Sequence, residues 1–168
     1  STLVNKNSPV QIAGTTWANA SLFYDQSDRY ITTAVKTNGT LWTWGNNTNG
    51  GIGNGTSGYD VRYSSPVQIG ALTNWSVTSG STAIKTDGTI WTWGSNPDGQ
   101  LGDGTTVDKS SPIQVGSNIS KISANSSHTL AIQTDGTLLA WGNNGDGELG
   151  YTAANGPRQI RALTTWSK

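Results

Sequence analysis

Cysteine and methionine are both absent from this chain of 168 residues. Without cysteine there are no disulfides, no thiolate metal sites and no cysteine nucleophiles, and the redox compartment stays open. The single histidine, His128, falls inside a recurring motif. A structural hydrogen-bonding role is therefore expected of it, and with no second histidine there is no base for a catalytic triad. Charge of either sign is also lacking in excess: ten basic and ten acidic side chains leave a formal net charge of zero. The lysines and arginines are scattered and never adjacent, whereas a nucleic-acid binder needs them clustered to displace counterions, so no nucleic-acid partner is expected. No apolar run is long enough to span a bilayer and no signal-peptide core is present, so no membrane insertion is expected. Hydrophobic content is low at 33%, but the chain carries eight tryptophans, and disordered chains are poor in aromatics. A packed all-β domain fits this composition, with glycine, asparagine, threonine and serine supplying tight turns.

What is present is periodic. Trp44-Gly45, Trp93-Gly94 and Trp141-Gly142 recur at intervals of 49 and 48 residues. Upstream of them stand Thr37-Asn38-Gly39-Thr40, Thr86-Asp87-Gly88-Thr89 and Thr134-Asp135-Gly136-Thr137. Asx-Gly pairs between alternating segments predict hairpins with type I′ turns. A third landmark is Ser-Pro-Val-Gln-Ile at Ser8 to Ile12 and Ser65 to Ile69, with variants at Ser111 to Val115 and Pro157 to Ile160. Each repeat reads as four short strands, in the second case Val67 to Ile69, Trp75 to Ser79, Thr82 to Thr86 and Thr89 to Trp93. A glycine-rich segment follows the last strand each time: Gly45 to Gly55, Gly94 to Gly104, and Gly142 to Gly150. Four-stranded units at this period are the signature of β-propeller blades.

The Trp-Gly strand, the segment Gly94 to Gly102 and the stretch Ile122 to Ile132 resemble the regulator-of-chromosome-condensation repeat over essentially the whole chain. Asn125 stands where that family usually has glycine, and the second repeat at Gly80-Ser81 lacks two residues and the histidine. The resemblance implies a propeller of about seven blades when complete. The expected fold is a partial β-propeller of about three four-stranded blades plus the first strand of a fourth, with repeats at about 8–63, 64–110, 111–156 and a start at 157–168. Three blades cannot close a ring, so completion by further polypeptide or by association is expected, with the last strand pairing outside the three blades.

Trp44, Trp93 and Trp141 occupy one repeat position, and Trp17, Trp75 and Trp166 another. Positions demanded by every blade are expected to form the repeat core. Trp42 and Trp91, replaced by Leu139 in the third repeat, remain open between packing and ligand contact. The loop Asn143 to Glu148 lacks the ordered ligand spacing of a calcium hand. Asp87 and Asp135 are matched by Asn38, so a catalytic carboxylate is not expected there. No catalytic residue, metal or cofactor is assigned. Seven Asn-x-Ser/Thr triplets would be glycan acceptors only in a secreting, glycosylating source.

The first repeat departs from the others by an insertion at about Ser21 to Arg29 and by a longer link after Trp44. The only phenylalanine and four of the five tyrosines lie in or beside these segments. In an up-and-down blade the two connections emerge on one face. Phe23, Tyr24, Arg29, Tyr30, Tyr59, Arg62 and Tyr63 are therefore the candidate partner-binding residues, because tyrosine and arginine on exposed loops make interface hot spots. The expected function is a non-enzymatic module for protein–protein interaction or assembly, exposed on a bacterial or phage virion or cell surface. A carbohydrate-binding adhesin is the alternative. A small-GTPase exchange factor, within the range of the family resemblance, and a hydrolase on the same scaffold stand third.

Overall fold

The Asx-Gly turns each join two antiparallel strands, but not in the type I′ geometry. In the computed structural model, which describes residues 4–24, 29–150 and the backbone of 158–159, Asn38, Asp87 and Asp135 are not in the left-handed region, whereas Gly39, Gly88 and Gly136 are, at φ 77°, 78° and 88°. Gly39 N donates to Lys36 O at 2.8 Å and Lys36 N to Thr40 O at 3.0 Å, so the hairpin is a three-residue loop closed by a glycine bulge. The Asx side chain selects this geometry. Thr40 N, Thr89 N and Thr137 N donate to Asn38, Asp87 and Asp135 Oδ1 at 3.2, 2.9 and 2.9 Å, which leaves only the glycine to take positive φ.

These hairpins build three antiparallel sheets. The first blade comprises β1 (Trp17–Tyr24), β2 (Tyr30–Lys36), β3 (Leu41–Asn46) and β4 (Arg62–Gln68). The second comprises β5 (Trp75–Ser79), β6 (Thr82–Lys85), β7 (Ile90–Gly94) and β8 (Lys109–Gly116). The third comprises β9 (Ile119–Ala124), β10 (His128–Gln133), β11 (Leu138–Gly142) and β12 (Arg158–Gln159). The architecture is all-β, a partial propeller.

The blades are out of phase with the repeat by one strand. Ser-Pro-Val-Gln-Ile was expected to open each repeat. Its copies instead close the preceding blade as β4 and β8, each paired on one side only. Proline accounts for this, because Pro66 and Pro112 have no N–H for a second neighbour and fit an outermost strand. The strand expected to seek a partner outside the three blades likewise stays within the third, pairing Arg158 with Ala140 and Gln159 with Leu139. The earliest copy, Ser8 to Ile12, joins no strand, and Val10 and Ile12 are exposed.

The core lies between the blades. Val35, Leu41, Ile52 and Ile69 of the first blade pack against Trp75, Ala83 and Trp93 of the second. Ile84 and Ile90 on the other face of the second blade pack against Ile119, Ala131 and Trp141. The first strands are stitched by side chains: Thr78 N donates to Asn19 Oδ1 at 2.8 Å, Gly80 N to Ser21 Oγ at 3.0 Å, and Ala124 N to Ser79 Oγ at 2.9 Å.

Each joint is locked by the Trp-Gly strand. Trp93 Nε1 donates to Gly51 O of the first blade at 3.0 Å, and Trp141 Nε1 to Gln100 O of the second at 2.9 Å. Both indoles are wholly buried. The receiving loop is held in shape by one asparagine per blade: Asn47, Asn96 and Asn144 accept through Oδ1 from the amides of Ile52, Leu101 and Leu149. Those three apolar side chains are buried. Gly102, at φ 74°, lies so close beneath Trp141 that a Cβ there would stand 2.6 Å from the indole nitrogen. Trp44 departs from the expected core role. No preceding blade covers it among the described residues, and it is half-buried, as is Trp17, whereas Trp75 is buried as expected. Trp166 lies outside the described residues.

The second loop has an additional clip. Asp103 Oδ1 accepts from Thr105 N and Oγ1 at 2.9 and 2.7 Å, and its Oδ2 pairs with Lys109 Nζ at 3.0 Å. Burial pushes the Asp103 carboxyl up, but the hydrogen bonds from Thr105 and Lys109 outweigh it and hold it below its ordinary value. A depressed carboxyl contributes stability above the unfolded value of about 3.9 and loses it as pH falls through the lower, folded value. The protection factors of the amides across residues 96–108, corrected for intrinsic exchange, are therefore expected to fall only below about pH 4, and Asp103→Asn is expected to remove that acid step. A second test concerns the joints. Trp93→Ala is expected to cost about 3–5 kcal/mol in chemical denaturation and Trp44→Ala clearly less, since only the first deletes a fully buried indole; equal losses would contradict the assignment.

Candidate functional site

Strand direction alternates within a blade, so the β1–β2 and β3–β4 connections leave the first blade on the same side. They meet there, as the sequence predicts: Arg29 Cζ stands 5.0 Å from the ring centroid of Tyr59. Tyr24 and Tyr30 face each other across the hairpin with ring centroids 6.4 Å apart. A concavity of about 480 Å3 opens beside them, lined by Arg29, Tyr30, Trp44, Arg62, Tyr63 and Ser64. Tyr63 is fixed by Asn54, whose Nδ2 donates to its hydroxyl at 2.8 Å. Arg62 pairs with Asp60 at 3.1 Å on the exposed rim, where such a pair contributes little stability but positions the guanidinium. Tyr24, Tyr30 and Tyr59 are 48%, 71% and 78% exposed, so the aromatic surface is available for contact.

Two sequence expectations change here. The insertion begins as sheet rather than loop, with residues 25–28 outside the described residues: β1 and β2 extend to pair Leu22 with Thr32, Phe23 with Ile31 and Tyr24 with Tyr30. Alternation along β1 then turns Phe23 inward, where it is buried with Ile31 and Ile52, so it belongs to the core and leaves the other six residues as candidates. Trp44, expected in the core, joins the candidate face. The sequence carried a signal for this, because Trp44 is the first of a series in which each member inserts into the loop before it.

Trp42 and Trp91 are also placed. Their indoles donate to Thr40 and Thr89 Oγ1 at 2.8 and 2.9 Å. Lys36 Nζ lies 4.0 Å from the Trp42 ring and 4.8 Å from Trp17, and Lys85 lies 3.6 Å from Trp91 and 4.8 Å from Trp75. Each lysine is thus a cation between two indoles, and burial lowers the Lys85 pKa against the opposing pull of Asp87. The third blade has Gln133, Ile119 and Leu139 at these places and forms no such box.

His128 is engaged locally, its amide donating to Asn125 Oδ1 at 2.9 Å while Asn125 Nδ2 lies 3.2 Å from His128 Nδ1. The Asp87 carboxyl is held below its usual range first by the Thr89 hydroxyl and then by its amide, and Asp135 first by the Thr137 amide and then by its hydroxyl. Carboxylates so stabilised in their charged form are poor general acids. Among the described residues no three His, Asp or Glu side chains gather as metal ligands.

The comparisons with known proteins agree with this architecture. No curated protein matches the chain in sequence. Among solved structures, human WBSCR16 superposes with a TM-score of 0.72 at 20% identity, over 90% of this chain and 41% of that one. Prp20p of Saccharomyces cerevisiae, studied for its binding to Gsp1p and histones, superposes with a TM-score of 0.61 at 20% identity, over 81% of this chain and 39% of that one. The yeast protein in complex with Kap60 gives a TM-score of 0.61 at 20% identity, over 81% and 38%. The chain thus spans about two fifths of the length of these structures. The model of the regulator of chromosome condensation (RCC1) repeat matches residues 38–82 and 87–132, and a second model of the same repeat matches 119–148. With its period, its blades and its Trp-Gly strands all matching that pattern, the chain belongs to the RCC1 repeat family.

Proposed function

We propose that this chain is a non-enzymatic protein-interaction module whose binding surface is the open side of the first blade. The observation that carries this reading is the concavity around Trp44, where an aromatic floor meets Arg29, Tyr30, Arg62 and Tyr63. Tyrosine, tryptophan and arginine around a partly desolvated pocket are the side chains that dominate binding energy at protein interfaces. Sequential strands bring these residues from three places in the chain onto one rigid sheet, so the surface is organised before a partner arrives.

The fold relatives support a protein partner in a general way, since yeast Prp20p has binding properties toward Gsp1p and histones and is also found bound to Kap60. The neutral charge of this chain and the absence of a basic cluster give no footing for nucleic acid. A glycan-stacking role would call on Trp42 and Trp91, but both are already occupied by threonine hydroxyls and lysine ammonium groups. Exposure on a virion or cell surface belongs to this proposal on compositional grounds alone.

The test is Tyr24→Ala combined with Tyr59→Ala. Both side chains are exposed, so the melting temperature is expected to stay within a few degrees of the parent, while association with the partner weakens by about tenfold or more, as read by calorimetry or sedimentation. Unchanged association in a folded double variant would sink the proposal.

A further inference from the structure

Asparagine followed by glycine is the dipeptide that rearranges most readily without a catalyst, because glycine has no side chain to keep its amide nitrogen away from the neighbouring carboxamide. The described residues contain four such pairs, Asn38-Gly39, Asn49-Gly50, Asn54-Gly55 and Asn144-Gly145, and a fifth, Asn155-Gly156, lies outside them. Three of the four are held at both reacting groups. Asn38 Oδ1 accepts from Thr40 N and Oγ1 at 3.2 and 2.8 Å while Gly39 N donates to Lys36 O at 2.8 Å. Asn54 Oδ1 accepts from Thr56 N and Oγ1 at 3.2 and 2.7 Å, its Nδ2 donates to the Tyr63 hydroxyl at 2.8 Å, and Gly55 N donates to Ser110 O at 2.7 Å. Asn144 Oδ1 accepts from Leu149 N at 3.0 Å, and Gly145 N donates to Asn143 Oδ1 at 2.8 Å.

Asn49 is held far less. Its side chain makes one contact, Nδ2 to Ser95 Oγ at 3.5 Å, and Gly50 N donates to Asn47 O across 3.3 Å. The other blades show what the first loop lacks. Gly50, Gly99 and Gly147 take the same place in successive loops, with φ of 75°, 74° and 81°, and the residues before them are Asn49, Asp98 and Asp146. The amides of Asp98 and Asp146 are tied down by Gln100 Oε1 at 3.0 Å and Glu148 Oε2 at 2.9 Å. Gly51 stands at that place in the first loop and has no side chain to do the same.

We propose that Asn49 is a spontaneous deamidation site, and that its isoaspartyl product unlocks the joint between the first two blades. Gly50 N loses its proton and attacks Asn49 Cγ; the Cγ–Nδ2 bond breaks, ammonia leaves and a five-membered succinimide closes. Water is the one co-reactant, and it opens the ring on either side of the imide nitrogen. Breaking the bond to Cγ leaves ordinary aspartate, the residue that the second and third loops already carry. Breaking the bond to the main-chain carbonyl carbon leaves isoaspartate, which adds one carbon to the backbone just ahead of Gly51, whose carbonyl receives Trp93 Nε1. The loop has no room to absorb it: Gly50 packs so tightly on the second blade that a Cβ there would stand 2.6 Å from Ser110 Cα. The two products therefore differ in effect, aspartate leaving the joint locked and isoaspartate opening it.

Trypsin cuts after Lys36 and Arg62, so Asn38, Asn49 and Asn54 share one peptide, and its tandem mass spectrum compares them directly. In the folded chain, kept in mildly alkaline buffer, Asn49 is expected to convert about tenfold faster than Asn38 or Asn54, the factor that one well-made hydrogen bond adds to a barrier. In the chain unfolded by denaturant the three are expected to convert at similar rates. The isoaspartyl form, separated by chromatography, is expected to lose protection of Trp93 Nε1 against hydrogen exchange, whereas Asn49→Asp keeps it. Conversion of Asn38 or Asn54 as fast as Asn49 in the folded chain overturns the site. Protection of Trp93 that survives in the isoaspartyl form, or is lost equally in Asn49→Asp, overturns the unlocking.

Discussion

Every blade after the first is held in place by an indole N–H that reaches a carbonyl in the loop of the blade before it. The bond matters because of where it lies. Trp93 and Trp141 are shut away from water, and a buried indole nitrogen left without an acceptor would oppose the burial of the ring. The carbonyl can be in place only if the glycine-rich loop holds its shape, which is the task of Asn47 and Asn96. The loop can approach closely only because glycine stands beneath the indole, as at Gly102. One polar contact per joint thus ties the Trp-Gly dipeptide, the asparagine and the glycines together, and explains why they recur as a set at a period of about fifty residues.

The same constraint determines what is left over. A unit built from copies of an asymmetric joint ends with one unfilled half on each side, unless a further blade covers it. The candidate site therefore does not lie in the centre of the three-blade unit but on the first blade's leading face, where Trp44 waits among tyrosines and arginines. Departures from the repeat cluster on the outward faces too. The long β1–β2 hairpin and its tyrosines sit at one end, and Glu148, in the place of Gln100, sits at the other. Between them, the second blade has the shortest inner hairpin, with Gly80 in the connection where the third blade has His128 nearby.

Much of the fold was legible from two recurring dipeptides, because Trp-Gly and Asx-Gly mark positions where backbone geometry permits few alternatives. The four-strand grouping and the hairpin at each Asx-Gly follow from them. Blade phase was not legible: Ser-Pro-Val-Gln-Ile is equally consistent with the start of one unit or the end of another until the hydrogen bonds of Pro66 and Pro112 are considered. The turn type was misread because the Asx side chain, not the backbone alone, selects the hairpin geometry. Of the candidate site, the convergence of the two long connections was visible in strand alternation. Phe23 was misplaced because the insertion extends the strands by a few residues, and the pleat turns that side chain inward. Trp44 was misplaced because its sequence environment matches that of Trp93, and only the absence of a covering blade among the described residues sets it apart.

Indole hydrogen exchange followed by NMR tests the central claim most directly, because it reads the locking bond itself. The account predicts that the Nε1 protons of Trp93 and Trp141 exchange only with global unfolding, whereas that of Trp44, which has no locking bond of this kind, exchanges rapidly in the folded domain. If Trp93 and Trp141 exchanged as fast as Trp44 under conditions where the domain is folded, the joints would not be locked by these tryptophans and the account would fail.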